Sequence, residues 1–211
     1  MTFDIITLFP DMFKGPFDES IIKRAQDKKL VEVNFHNLRN WAVDKRGSVD
    51  DKPYGGGVGM VMRVEPIYNA LQKIKNPKVK SKVLLMDPRG EKFSQKKARE
   101  YSGLEQIIII CGHYEGIDER VKDHLVDEAI SVGDYVLTGG EIPAMIITDA
   151  VTRLIPGVLT KAEATSIESF SSKNYKEFPQ YTRPEEFNGW KVPEILLSGN
   201  HQEIAKWRKG S

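Results

Sequence analysis

Cysteine is almost absent from this 211-residue chain: Cys111 stands alone, so no internal disulfide can form. The four scattered histidines, His36, His113, His124 and His201, have no second cysteine beside them and give no zinc-ligand spacing. An excess of either charge is missing as well. Lys and Arg number 31 against 30 Asp and Glu, a formal net charge of +1, which excludes a binder that holds nucleic acid by bulk charge; any such site must be local. No hydrophobic run is long enough for a bilayer. The most apolar stretch, residues 143–155, would span about 20 Å as a helix at ~1.5 Å per residue, and Asp149 and Arg153 interrupt it. The N-terminus lacks a cationic segment and carries Asp4 within its first apolar run. It reads as a first strand, not a signal peptide, with a cytoplasmic enzyme as the expectation. Repeats and low-complexity tracts are absent.

What is present is enough for one well-buried core and a smaller attachment, with 40% hydrophobic and 29% charged residues. Runs rich in Ile, Val and Leu at residues 4–9, 31–38, 82–86 and 106–111 predict strands. Helical patterns lie between and after them, at 20–28, 65–74, 94–101, 116–125 and 143–155. The alternation predicts an α/β fold with a parallel sheet flanked by helices. Ile107-Ile108-Ile109-Ile110 has no polar alternation, as expected of a strand covered on both faces. Residues 160–176 are rich in Ser, Thr, Lys and Glu without strong periodicity and read as a linker. A small unit follows, its last segment, 200–209, a short basic helix.

Three motifs could carry chemistry. Four glycines in five residues (Gly55-Gly56-Gly57-Val58-Gly59) follow Asp50 and Asp51 in a segment that is neither a phosphate-binding loop nor a dinucleotide fingerprint. It is either a plain surface loop or a substrate lid. With few apolar residues to anchor it, the stretch 44–60 is expected to be poorly ordered, as is 160–176. The second motif, Cys111-Gly112-His113-Tyr114-Glu115-Gly116, leaves the carboxyl end of a buried strand, where ligands of open α/β sheets collect. Glu115 either caps the following helix or serves a ligand there, while Cys111 reads as core. In the third, Ser131 to Glu141, free backbone groups together with Tyr135 and Leu137 suit an adenine ring. Arg153, four residues after Asp149, has the spacing of an ordinary surface ion pair. Glu168 in the linker would be unremarked on its own.

Taken in order, Ile5 to Pro10, Val49 to Gly57, Cys111 to Arg120 and Gly133 to Glu141 resemble the bacterial tRNA (guanine-N1)-methyltransferase family. Tyr181 to Pro184 and Val192 to His201 extend the likeness to nearly the whole chain. The resemblance implies a SPOUT-class domain with a deep trefoil knot over residues 1–159, the knotted cofactor site lying roughly at 84–141. It further implies the linker 160–176 and a short C-terminal helical tRNA-binding segment over 177–211. The implied cofactor is S-adenosyl-L-methionine, held by Pro88, Gly112, Tyr114, Gly116, Val132, Gly133, Asp134, Tyr135, Val136, Leu137 and Gly140. The implied partners are a second copy of the chain and a tRNA whose guanosine just 3′ of the anticodon is methylated at N1, a modification that supports reading-frame maintenance. Magnesium dependence is a family trait, with no metal cage visible in these residues.

N1 of guanine carries a proton, so a carboxylate base and a cation for O6 are both useful. The resemblance gives these roles to Glu168 and to Arg153, whose fork suits a guanine edge, with Glu115 as the next candidate base. Asp50 and Gly59 fall in the substrate loop. Three departures stand out. The family's base is an Asp before Ser-Phe, where this chain has Glu168; Arg46 and Gly47 replace a usual His and basic residue; and the chain ends at Ser211, short of the family's usual helical domain, so a weaker tRNA grip is expected. A knotted methyltransferase for another nucleotide, or a catalytically silent tRNA- or cofactor-binding dimer, remain the alternatives.

Overall fold

The computed structural model of the chain describes residues 1–161, 165, 168–172 and 175–210. Two compact units divide it, residues 1–162 and 163–211. The linker expected over 160–176 lies partly outside the described residues, at 162–164, 166, 167, 173 and 174.

The first unit is a three-layer α/β/α arrangement. Its sheet has the order β2-β1-β6-β5-β7, built from β1 (Thr2–Thr7), β2 (Glu32–Asn37), β5 (Ser81–Lys92), β6 (Gln106–Ile110) and β7 (Glu128–Ser131), and every neighbouring pair runs parallel. Side chains alternate between two cores, as a pleated strand requires. Phe3, Ile5, Leu84, Met86, Ile107 and Ile109 enter one core, against α1 (Ser20–Asp27), α3 (Gln95–Tyr101) and α5 (Glu141–Thr152). Ile6, Val83, Leu85, Ile108 and Ile110 enter the other, against α2 (Val64–Ile74) and α4 (Glu119–His124). Both faces of β6 are therefore dry, which is why its four consecutive isoleucines are each fully buried.

Several features differ from the sequence reading, among them β5, which runs on to Lys92, and α5, which spans Glu141–Thr152. β7 was not expected: four residues opening with a charged side chain carry too little pattern, and pairing with β5 makes the strand. α4 begins at Glu119, not at residue 116, because the carboxylate of Asp118 accepts from the Arg120 N–H at 3.0 Å and caps it there. Upstream, Tyr114 (φ 59°) and Gly116 (φ 125°) hold left-handed backbone that no helix contains. The glycine-rich segment is anchored at its stem. Val49 and Met62 are fully buried, and β3 (Asp50–Asp51) pairs antiparallel with β4 (Val61–Met62). Its tip, with Tyr54 and Val58, is exposed.

In the second unit, β8 (Glu186–Phe187) and β9 (Trp190–Lys191) form a hairpin through Asn188 and Gly189, both at positive φ. Helices α6 (Glu194–Leu197) and α7 (His201–Gly210) follow. Asn200 Oδ1 accepts from the N–H groups of Gln202 and Glu203 and starts α7. Among the described residues no helix is long and apolar enough to cross a membrane.

Candidate active site

A cavity of about 560 Å³ opens where the carboxyl ends of β5, β6 and β7 meet, the place where an open parallel sheet leaves room for a ligand. β5 creates its first wall. Ile130 of β7 pairs with both Met86 and Glu91, so residues 87–90 bow out of the strand and bring Asp87, Pro88 and Arg89 to the cavity. The second wall is the turn after β6, Gly112 to Ile117, and the third is the loop after β7, Ser131 to Gly140.

The third wall lies against the second because Gly140 has no side chain. A Cβ there would stand 2.6 Å from the Cα of Cys111, and the Gly140 N–H donates to the Gly112 carbonyl at 2.9 Å. Two loops thus approach backbone to backbone, leaving main-chain groups, Tyr135, Val136, Leu137 and Pro143 to face the cavity. Its volume falls in the range of small-molecule sites, about 300–1,000 Å³, and its lining mixes apolar side chains with convergent backbone polar groups as such sites do.

The charged wall is ordered by pairs. Arg89 donates from Nη2 to Asp87 Oδ2 at 3.1 Å and to Glu119 Oε2 at 2.9 Å, and Lys122 lies 3.4 Å from Asp87 Oδ2. Burial pushes the Asp87 carboxyl up, but the hydrogen bonds from Arg89 outweigh it, helped by Lys122, and hold it below the usual carboxylate range. Behind the Gly139–Gly140 backbone sits a carboxylate with no solvent contact. Glu141 is fully buried; Thr7 Oγ1 donates to its Oε1 at 2.6 Å, and His113 Nε2 is 2.7 Å from its Oε2.

Of the residues singled out in the sequence, Pro88, Gly112, Tyr114, Glu115, Gly116, Val132, Gly133, Tyr135, Val136, Leu137 and Gly140 all line this one cavity. Asp134 does not line it; its carboxylate pairs with Lys92. Gly59 packs directly on Glu115, since a Cβ there would fall 2.4 Å from the Glu115 Cγ. Glu115 donates its N–H to the Met60 carbonyl at 3.0 Å, and Met62 bridges to Ile117. The glycine segment is thereby fastened to the cavity wall through Glu115, which stands before the α4 cap and not at a helix start. Asp50 sits at the other strand of the same stem. Arg153 ends α5, its N–H donating to the Asp149 carbonyl at 3.2 Å. Glu168 lies in the second unit, where its carbonyl accepts from the Ser171 N–H at 3.0 Å.

Asp87, Arg89, Glu119, Lys122, Thr7 and Glu141 were not singled out. Glu141 had a signal: a carboxylate after two glycines, opening a helix that is otherwise apolar. Among the described residues no group of three or more His, Cys, Asp or Glu is placed to hold a metal ion.

The family model for tRNA (Guanine-1)-methyltransferase TrmD matches residues 1–211. Similar proteins include one from Citrifermentans bemidjiense, 59% identical over 209 residues, which cover 99% of this chain and 84% of the relative. One from Geobacter sp. strain M21 is 58% identical over the same shares, and one from Staphylococcus carnosus is 53% identical over 208 residues, again 99% and 84%. Each bears the name tRNA (guanine-N(1)-)-methyltransferase. With a family match along its whole length and relatives above half identity, the chain belongs to the tRNA (guanine-N1)-methyltransferase TrmD family.

Proposed function

We propose that this chain methylates N1 of the guanosine immediately 3′ of the anticodon in tRNA, using S-adenosyl-L-methionine, in a knotted SPOUT domain that works as a homodimer. The observation that carries the reading is the cavity itself: eleven residues matching the family's cofactor-site and motif positions, drawn from three separate loops, line one pocket at the strand ends. Tyr135, Leu137 and Pro143 offer apolar surface for an adenine, and main-chain groups of the loop after β7 line the same wall.

When bound, the cofactor supplies a methyl group already activated on a sulfonium, so the chain's own task is proton removal and placement. Glu168 takes the N1 proton, its extra methylene relative to the family's Asp shifting the carboxylate by about 1 Å. Arg153 offers two N–H donors to O6 and N7, holding the charge that builds on O6 as the proton leaves. The glycine segment, fastened to Glu115 through Gly59, covers the base. Apolar side chains left in water at Phe9, Met12, Ile142 and Ile146 support a second copy as partner.

Labelled cofactor and transcripts that differ only in the base 3′ of the anticodon test the reading. Uptake that requires guanine there is expected. Uptake into another nucleotide would favour a different knotted methyltransferase, and binding without uptake a silent binder.

A further inference from the structure

Glu141 is the first residue of α5 and is fully buried. Taking a carboxylate out of water costs several kcal/mol unless something compensates it. Here two partners hold it, the Thr7 hydroxyl on Oε1 and the His113 ring on Oε2, and the unpaired N–H groups that begin α5 favour an anion. No lysine or arginine reaches it among the described residues. The other buried or half-buried acids of the cavity wall are matched by cations: Asp87 and Glu119 share Arg89 and Lys122. Among the described residues, Glu141 thus lies beneath the cavity floor with a hydroxyl and an imidazole as its side-chain partners.

Its distance from the cavity is one backbone thick. Gly139 lines the cavity, and a Cβ on it would lie 2.6 Å from Glu141 Oε2 and 2.3 Å from His113 Nε2; His113 itself lines the cavity. The field of this carboxylate reaches its neighbours: the buried Cys111 thiol is pushed up by burial first and by the Glu141 charge second.

We propose that Glu141 is the counter-charge through which this cavity prefers the sulfonium cofactor over the neutral thioether left after methyl transfer. The proposal rests on the cofactor reading above. S-adenosylmethionine and S-adenosylhomocysteine share adenine, ribose and amino-acid ends and differ at sulfur by a methyl group and one positive charge. A fixed buried carboxylate favours the first, and its attraction vanishes as the methyl leaves, which lets the product go. Glu141 acts through the field and touches neither reacting atom, so it is a specificity-determining residue.

Calorimetric titration of the full chain with both ligands, and with an analogue carrying an ammonium in place of the sulfonium, tests this. Glu141→Gln keeps the shape and removes the charge. The expected result is a loss of roughly tenfold for the two cationic ligands, the size carried by about 1.4 kcal/mol, with the thioether changed less than twofold. Glu141→Ala also removes the charge and gives the same selective loss where Glu141→Gln does not fold, while Glu141→Asp retains the carboxylate and keeps the wild-type preference. Equal weakening of all three ligands in Glu141→Gln or Glu141→Ala, or a preference lost in Glu141→Asp, would overturn the proposal. Wild-type protein that binds neither cofactor nor product would instead overturn the cofactor reading itself.

Discussion

Glu128 shows how a single side chain can be tied to stability without any part in the site. It accepts from Lys97 Nζ at 2.5 Å and from the Tyr101 hydroxyl at 2.7 Å, and pairs with Lys82. Burial alone would raise its pKa, yet the hydrogen bonds from Lys82, Lys97 and Tyr101 win and draw it down to about 2. A carboxyl with a folded pKa below its unfolded one stabilises the fold fully above the unfolded value, near 4.5, and loses that contribution as pH falls toward about 2. Glu128→Gln should therefore lower stability at pH 7 by on the order of 2 kcal/mol, and the gap to wild type should close on acidification. Urea unfolding of both proteins at pH 7, 5 and 3 measures it; a gap that stays constant would show that the charge is not the cause. Glu168 is a different case, since its proposed role is chemical. Glu168→Gln should slow single-turnover methylation about 10²-fold, the low end for a general base, with cofactor affinity unchanged. Undiminished turnover would pass the role to Glu115.

At the scale of elements, the cavity depends on the close approach of the loop after β7 to the turn after β6. Gly140→Ala places a methyl against the Cys111 backbone, which cannot rotate away as a side chain would. The expected outcome is at least tenfold weaker cofactor binding by calorimetry and a lower thermal midpoint, about 2–4 °C for each kcal/mol lost at this chain length. Gly59→Ala strains a residue at φ 84° and displaces the Glu115 side chain instead, so it should impair methyl transfer more than cofactor binding. The same contacts explain what the sequence made legible. β6 could be read because four isoleucines in a row have one sensible place, a strand covered on both faces. The cavity motifs could be read because glycine clusters at strand ends carry a local meaning. Glu141 could not be assigned a partner, because Thr7 is 134 residues away in the chain and no periodicity links a β1 hydroxyl to an α5 carboxylate. Asp87 and Arg89 were equally silent, since the outward bow of β5 is set by its register with β7. The β8–β9 hairpin did have a local signal, Asn188-Gly189 between Phe187 and Trp190, which is a type I′ turn pattern.

For the whole molecule, the question is what covers the apolar side chains that the first unit leaves in water. Ile142 and Ile146 sit one helical turn apart on α5 and are 45% and 40% exposed. The short turn Pro10–Phe13 packs against the same helix and brings Met12, 42% exposed. A stripe of this kind supports the proposed second copy as its cover. α5 also begins at the cavity, with Pro143 in its lining, so an interface on this helix would join assembly to catalysis. Ile146→Glu puts a charge into that interface while remaining compatible with an isolated subunit, because the residue is already partly solvated. Sedimentation at micromolar concentration should find wild type near twice its 23.9 kDa chain mass and the variant near the single-chain mass. The variant should keep its helical circular dichroism and lose methyl transfer by at least tenfold, since the helix that would lose its cover begins at the cavity. A wild-type monomer with full turnover would remove the dimer from the mechanism, and a dimeric Ile146→Glu would place the interface elsewhere on the chain.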